Sequence, residues 1–190
     1  MKPTCFLSRS GSLSLLLMLG GAFYFHANTH ATGADLNALA GRWKFNQAKS
    51  DNPQAKLDTA LGNGNALMLA LKRKQAQAAL EQFITATEGL TITCQPETVT
   101  IAAQGRPSRT LYLDGRKQKF DSPNGGTNET TTQWRNGQLV ISSVTSKGAH
   151  VTQTYALADG ARQLQLLIRV EHPQLSEPLV LRNLYDASKQ

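Results

Sequence analysis

The stretch Leu39-Ala40-Gly41-Arg42-Trp43-Lys44-Phe45-Asn46 decides the fold. Leu39, Gly41, Trp43 and Phe45 fall on one side, Arg42, Lys44 and Asn46 on the other. A period of two is what a strand with one face in a core requires. The polar stretch that follows, with Asp51-Asn52-Pro53 inside it, ends this strand.

Working outward from it, the text after residue 90 consists of short alternating runs separated by turn residues. Strands are expected at about 90–95, 98–103, 109–113, 117–120, 129–135, 138–145, 150–157, 163–171 and 179–186. Asn136-Gly137, between Trp134 and Leu139, is the strongest hairpin signal, because both central residues of such a turn need positive φ. Alternation is clearest at Leu164, Leu166, Ile168 and Val170, set against Gln163, Gln165, Arg169 and Glu171. Short connections give an antiparallel meander, and about ten twisted strands would close rather than leave two open edges. The expected fold is mainly β: an antiparallel meander barrel of about ten strands with a helical insertion after the first. A single domain over residues 39–186 is expected.

The insertion spans about residues 55–87. Ala55 to Leu61 reads as a short helix ended by Gly62-Asn63-Gly64; Asn65 can cap a second that runs to about Thr87, with Gly89 as its stop. Leu69, Ala76, Leu80 and Phe83 follow helical spacing, and Met68, Leu71, Ala79 and Ile84 are expected to widen that apolar stripe. Lys72, Lys74, Gln75, Gln77 and Gln82 occupy the other side. Lys72-Arg73-Lys74 has two readings: a solvated helix face, or the basic face of a lid that meets anionic lipid headgroups.

The N-terminus has the form of an export signal. Lys2 and Arg9 precede an apolar run from Leu13 to Phe25, and small residues around Ala31 offer a cleavage site, so residues 1–31 are expected to be a signal peptide. That run is shorter than the roughly 20 residues that span a bilayer as a helix; retention as an anchor is the alternative to cleavage. The whole chain of 190 residues carries a formal net charge of +7. Cleavage after Ala31 leaves 18 basic against 13 acidic side chains, a net +5, and Cys94 as the one cysteine. No internal disulfide is then possible. Cys94 is in phase with Leu90 and Ile92, which favours a small buried hydrophobe over a reactive thiol.

Several chemistries are disfavoured. Basic residues are not interleaved with aromatics on any strand, so no stacking platform for bases is present and no nucleic-acid partner is expected. His150 and His172 have no second ligand at metal spacing. No Gly-x-Ser-x-Gly, Ser-x-x-Lys or His-Glu-x-x-His occurs. Asp114, Asp121, Asp159 and Asp186 read as turn residues. No catalytic residue, metal or cofactor is assigned.

A first strand with Gly41 and Trp43, a helical insertion, and then a meander resembles the calycin group of lipocalins and fatty-acid-binding proteins, the helices being placed as in the latter. The segments 41–50, 113–115, 134–140, 155–160 and 183–186 are similar to those of exported bacterial lipocalin-like proteins of unassigned function. The resemblance implies a cavity for a hydrophobic or amphipathic small molecule, in a carrier or sensor of the cell envelope, periplasmic or secreted from a Gram-negative bacterium. An interaction protein with a filled barrel is the alternative, and a hydrolase or isomerase that uses a cavity residue is the third reading. Leu71, Lys72, Lys74, Trp134 and Tyr155 are the candidate cavity or lid residues. Gly41, Trp43 and Arg182 are the candidates for barrel closure, the resemblance placing an arginine over the Trp43 indole, with Arg169 as the second choice. Fatty-acid-binding proteins use Arg-x-Tyr on the last strand to hold a carboxylate. Here Arg182 and Tyr185 are three apart, which puts them on opposite faces.

Overall fold

In a computed structural model the described residues are 36–122, 125–158 and 162–188. Ten strands are present among them: β1 Gly41–Phe45, β2 Gly89–Cys94, β3 Thr98–Ala103, β4 Arg109–Tyr112, β5 Gln118–Asp121, β6 Thr127–Arg135, β7 Gln138–Val144, β8 His150–Ala158, β9 Gln163–Glu171 and β10 Leu179–Ala187. They form one antiparallel sheet in the order β4-β3-β2-β1-β10-β9-β8-β7-β6-β5. Strands adjacent in sequence are adjacent in space, with one substitution: β1 joins β10, while the consecutive pair β4 and β5 becomes the two sheet edges. This is the expected ten-stranded meander, nearly closed. The expected signal peptide lies outside the described residues.

Between β1 and β2 stand two helices, α1 Pro53–Leu61 and α2 Ala66–Ile84. Asn52 caps α1 by accepting from the Gln54 and Ala55 amides, with Pro53 in the first turn, where its missing N–H costs nothing. Asn65 caps α2 by accepting from Leu67 N. The helix stops at Ile84, short of the expected end near Thr87, and Gly89 opens β2 instead of terminating the helix. Arg106, from the β3–β4 turn, explains the stop. Its Nη1 donates to Gln82 O at 2.6 Å and its Nη2 to Thr85 O at 2.8 Å. A guanidinium thereby takes up carbonyls that a helix end leaves open.

The Asn136-Gly137 hairpin forms as read, with φ of 52° and 71°. Every strand then turns alternate residues inward, and Leu164, Leu166, Ile168 and Val170 are all buried. On β1, Trp43 is buried and donates Nε1–H to Leu39 O at 3.0 Å, while Arg42 and Lys44 are exposed. Gly41 has φ of +147°, and a Cβ there would meet only the indole at 3.9 Å. Its backbone angle, not a close approach, is what calls for glycine. Cys94 is half-buried, donates to Leu36 O at 3.3 Å, and burial pushes its thiol pKa up, as a structural cysteine requires.

Two expectations are corrected. Arg182 does not cover Trp43. The cross-strand neighbour of Trp43 is Ala187, five positions from Arg182, so the two side chains leave opposite faces of β10. Arg182 is exposed, and Arg169 also faces out and pairs with Glu171 at 2.9 Å. Met68 and Leu71 do not widen the inner stripe of α2; they are 54% and 51% exposed. Ala76, Leu80, Phe83 and Ile84 supply the buried face of that helix.

Candidate functional site

Five strands place one row of side chains across the interior. Trp134 pairs with Leu139, Leu139 with Tyr155, Tyr155 with Leu166, and Leu166 with Asn183. The row below it runs Thr132, Ile141, Gln153, Ile168, Leu181. Half of these ten positions are aliphatic, as a barrel core demands. The exceptions carry the chemistry. Asn128 Oδ1, Thr132 Oγ1, Trp134 Nε1 and Asn183 Nδ2 are buried without a hydrogen-bond partner. Each such group, left unpartnered, forfeits about 1–3 kcal/mol of hydration, and a water or a polar group of a ligand would supply the missing hydrogen bond.

Trp134 and Tyr155, both expected from sequence, therefore lie on the same inner wall, two strands apart with Leu139 between them. The Tyr155 hydroxyl pKa is pushed up to about 12 by burial, opposed by Arg109. Tyr185 faces inward too, its ring 5.4 Å from that of Phe45, its hydroxyl hydrogen-bonded to Thr87. Tyr185 inside and Arg182 outside is the arrangement read from their spacing, and it rules out a joint carboxylate clamp. Leu71, Lys72 and Lys74 are not part of the interior. All three are exposed on the outer side of α2. Arg73, between the lysines, is bound to Asp58 at 2.7 Å, so the three basic residues do not make one free basic face.

Sequence reading missed Arg109. It pairs with Ile101 on the inner face of β3 and β4, and its guanidinium carbon lies 5.9 Å from the centroid of the Phe120 ring across the edge. Among the described residues it is the one charged side chain on the inner face of the strands, and no carboxylate is ion-paired with it. The strand parity from Leu111 could have found it. The flanking turn, Gly105-Arg106-Pro107-Ser108, hid it among surface-type residues.

The seam between β4 and β5 is closed by a side chain. Gln118 Oε1 accepts from Tyr112 N at 2.9 Å, and Gln118 Nε2 donates to Thr110 O at 3.1 Å. A primary amide carries the same donor and acceptor as a peptide group, so it can stand in for a missing strand residue. Below it the chain crosses to β6 through an Asp114–Gln133 bridge and the Gly115 N to Thr132 O bond of 3.0 Å.

Space is limited. Leu111, Leu139, Ile141 and Leu164 have no area reachable by water, so the wall around them is filled. A polar void of about 10 Å³ under α2, bordered by Gln82, Ser122, Asn128, Thr145 and His172, has room for one water. His172 is partly buried there, which lowers its pKa. A groove of about 420 Å³ crosses β1–β3, lined by the outward residues Arg42, Lys44, Thr91, Ala102 and Gln104 and bordered by Trp43 and Leu90. It is not the interior. Among the described residues no cluster of His, Cys, Asp or Glu could hold a metal ion.

No protein-family model matches the chain, and no curated protein matches its sequence. Solved structures do match in fold. A secretory abundant heat soluble (SAHS) protein of Ramazzottius varieornatus is similar with a TM-score of 0.54 and 14% identity, over 80% of this chain and 96% of that one. The REP1-NXSQ fatty acid transporter is similar at 0.52 and 16%, over 83% and 98%. Lipid binding protein 8 of Caenorhabditis elegans, in its apo form, is similar at 0.52 and 17%, over 80% and 97%. At these identities the likeness carries the fold: a fatty-acid-binding-protein-like barrel with the helices after the first strand.

Proposed function

We propose that the chain is an exported envelope protein that binds a hydrophobic or amphipathic small molecule inside the barrel, as a carrier or sensor. The observation that carries this reading is the set of unpartnered buried polar atoms on the inner wall, Thr132 Oγ1, Trp134 Nε1 and Asn183 Nδ2 above all. A polar group on the bound molecule would restore their hydrogen bonds, and the aliphatic positions between them suit its apolar part. Arg109, at the seam beside Phe120, is the inward cation available to an acidic group on such a molecule. The solved structures of like fold include a fatty acid transporter and a lipid binding protein, which favours the same class. Export rests on the leader at residues 1–31.

A second reading, a filled barrel that serves as an interaction protein, is favoured by Leu111, Leu139, Ile141 and Leu164, which leave no room beside them. Native mass spectrometry of the protein purified from its own host separates the two. A retained small molecule, lost when Trp134→Phe and Asn183→Leu are combined in a folded variant, supports the first. A bare mass, with no shift on incubation with lipid extract, removes it.

A further inference from the structure

The groove across β1–β3 opens on the outer side of the sheet, and strand register gives it its shape. Arg42 on β1 stands beside Thr91 on β2, and Thr91 beside Ala102 on β3. In the next outward row Lys44 stands beside Gly89, and the Gln104 amide donates to Gly89 O at 2.9 Å. The long side chains of Arg42, Lys44 and Gln104 therefore rise around a floor of Gly89, Thr91 and Ala102, which are short. The volume of about 420 Å³ is that of a small-molecule site.

Gly89 has no local reason to be glycine. Its φ is not positive, unlike those of Gly41 and of the turn glycines. A Cβ built there would lie 3.4 Å from the movable Oε1 of Gln104 and 3.6 Å from Trp43 O, so packing leaves room for one. Glycine weakens a strand, and within one it often marks the close approach of a ligand. What a side chain at this position would take away is the floor of the groove.

The charges along the groove are unclaimed. Arg42 and Lys44 are exposed on the same face, two residues apart, and neither is ion-paired among the described residues. The carboxylate facing Lys44 in register is that of Asp186, but Asn46 and Gln163 hold it at 2.7 Å each. Glu88, whose carbonyl accepts from Phe45 N beyond the Lys44 end, is the acidic residue of the lining. Two cations against one carboxylate leave a net +1, which a single negative charge on a ligand would neutralise. The end away from Glu88 suits that charge best. There the Arg42 guanidinium and the Thr91 hydroxyl can both donate to one carboxylate. The rest of the floor is strand backbone with short side chains, which fits a planar body lying flat.

We propose that the outer groove of β1–β3 binds a planar organic monocarboxylate, its carboxylate held by Arg42 and Thr91 and its body laid over Gly89 and Ala102. The site is on the opposite side of the sheet from the barrel interior and stands whether or not that interior is occupied.

The test is an amide NMR titration of the protein, as its host processes it, with naphthoate. Acetate and naphthylmethanol serve as controls that keep only the charge or only the ring. With naphthoate the amides of Arg42, Lys44, Gly89, Thr91 and Gln104 shift saturably, and each control binds at least about tenfold more weakly. Arg42→Gln weakens naphthoate binding about tenfold by removing a charged hydrogen-bond donor. Its side chain is exposed, so the melting temperature stays at that of wild type and the loss of binding is not a loss of fold. Gly89→Val fills the floor and abolishes the saturable shifts, while a β-branched residue on a strand keeps the melting temperature or raises it. Equal binding by wild type and either variant overturns the proposal. So do shifts that are absent, or that spread equally over Lys72, Lys74 and Arg182. Shifts at Trp134 and Asn183 that survive both variants put the probe in the barrel interior and overturn it as well.

Discussion

The barrel has two joints, and they are built differently. At β1–β10 the backbone ladder is continuous, and irregular chain extends it: Asn46 N and Asp51 N donate to Leu184 O and Arg182 O, while Ser50 Oγ and Asp51 Oδ2 accept from Leu184 N and Arg182 N. Asn46 and Gln163 then hold Asp186 from two sides at 2.7 Å each, and they keep its carboxyl pKa below the ordinary range. At β4–β5 the strands do not pair. One glutamine side chain, the Arg109 guanidinium over the Phe120 ring and one isolated bridge span the gap. A joint made of many backbone bonds opens only with the fold, whereas a joint made of a few side-chain contacts and one bridge can open more locally. The first joint is therefore the stronger of the two.

Substitutions can press on that contrast. Trp43→Ala, at the first joint, removes a buried indole and its bond to Leu39 O; the loss expected is about 3–5 kcal/mol in urea unfolding. A loss under about 1 kcal/mol would mean that the joint does not depend on its tryptophan. Tyr155 tests the unbroken wall between the joints. Its native pKa of about 12 lies above the ordinary 10, so the folded state holds a proton that the unfolded chain gives up. Stability from this group is complete below pH 10 and falls above it, by up to about 1.4 kcal/mol per pH unit until about pH 12. Tyr155→Phe should remove that part of the alkaline decline, read from unfolding curves at successive pH values.

Gln118→Ala probes the second joint. Global stability should drop by no more than about 1 kcal/mol, since the groups it frees are near water. Hydrogen exchange at the Tyr112 amide should nevertheless accelerate by an order of magnitude or more, with the Trp43 amide unchanged. Equal acceleration at both would erase the contrast. Arg182→Ala should do least: within about 0.5 kcal/mol of wild type and with unaltered tryptophan fluorescence, because the side chain is exposed and its backbone amide keeps its bond to Asp51.

Much of this was legible in the sequence, for physical reasons. Strand alternation and the Asn136-Gly137 turn are local properties, so β3 and β9 fall at the residues read and the other strands within one or two. The placement of Trp134 and Tyr155 inside follows from the same parity. Parity also puts Arg182 opposite Tyr185, whereas the family resemblance implies an arginine over Trp43. The residue spacing was the better guide. What was not legible depends on partners far along the chain. Gln118 closes a seam only because β4 and β5 become edges. The helix misled differently: Leu67, Met68, Leu69 and Leu71 crowd both sides of one turn, and periodicity alone cannot tell which side meets the core.

Arg106 has one more consequence. It sits three residues before Arg109 and grips the last carbonyls of α2, so the cover of the barrel and the beginning of its free edge are tethered by a single side chain. A tilt of α2 would pull on the β3–β4 turn and thereby on β4, much as a drawstring moves both sides of an opening. The helix and the seam would then be two ends of one mechanical linkage, with the guanidinium as its knot.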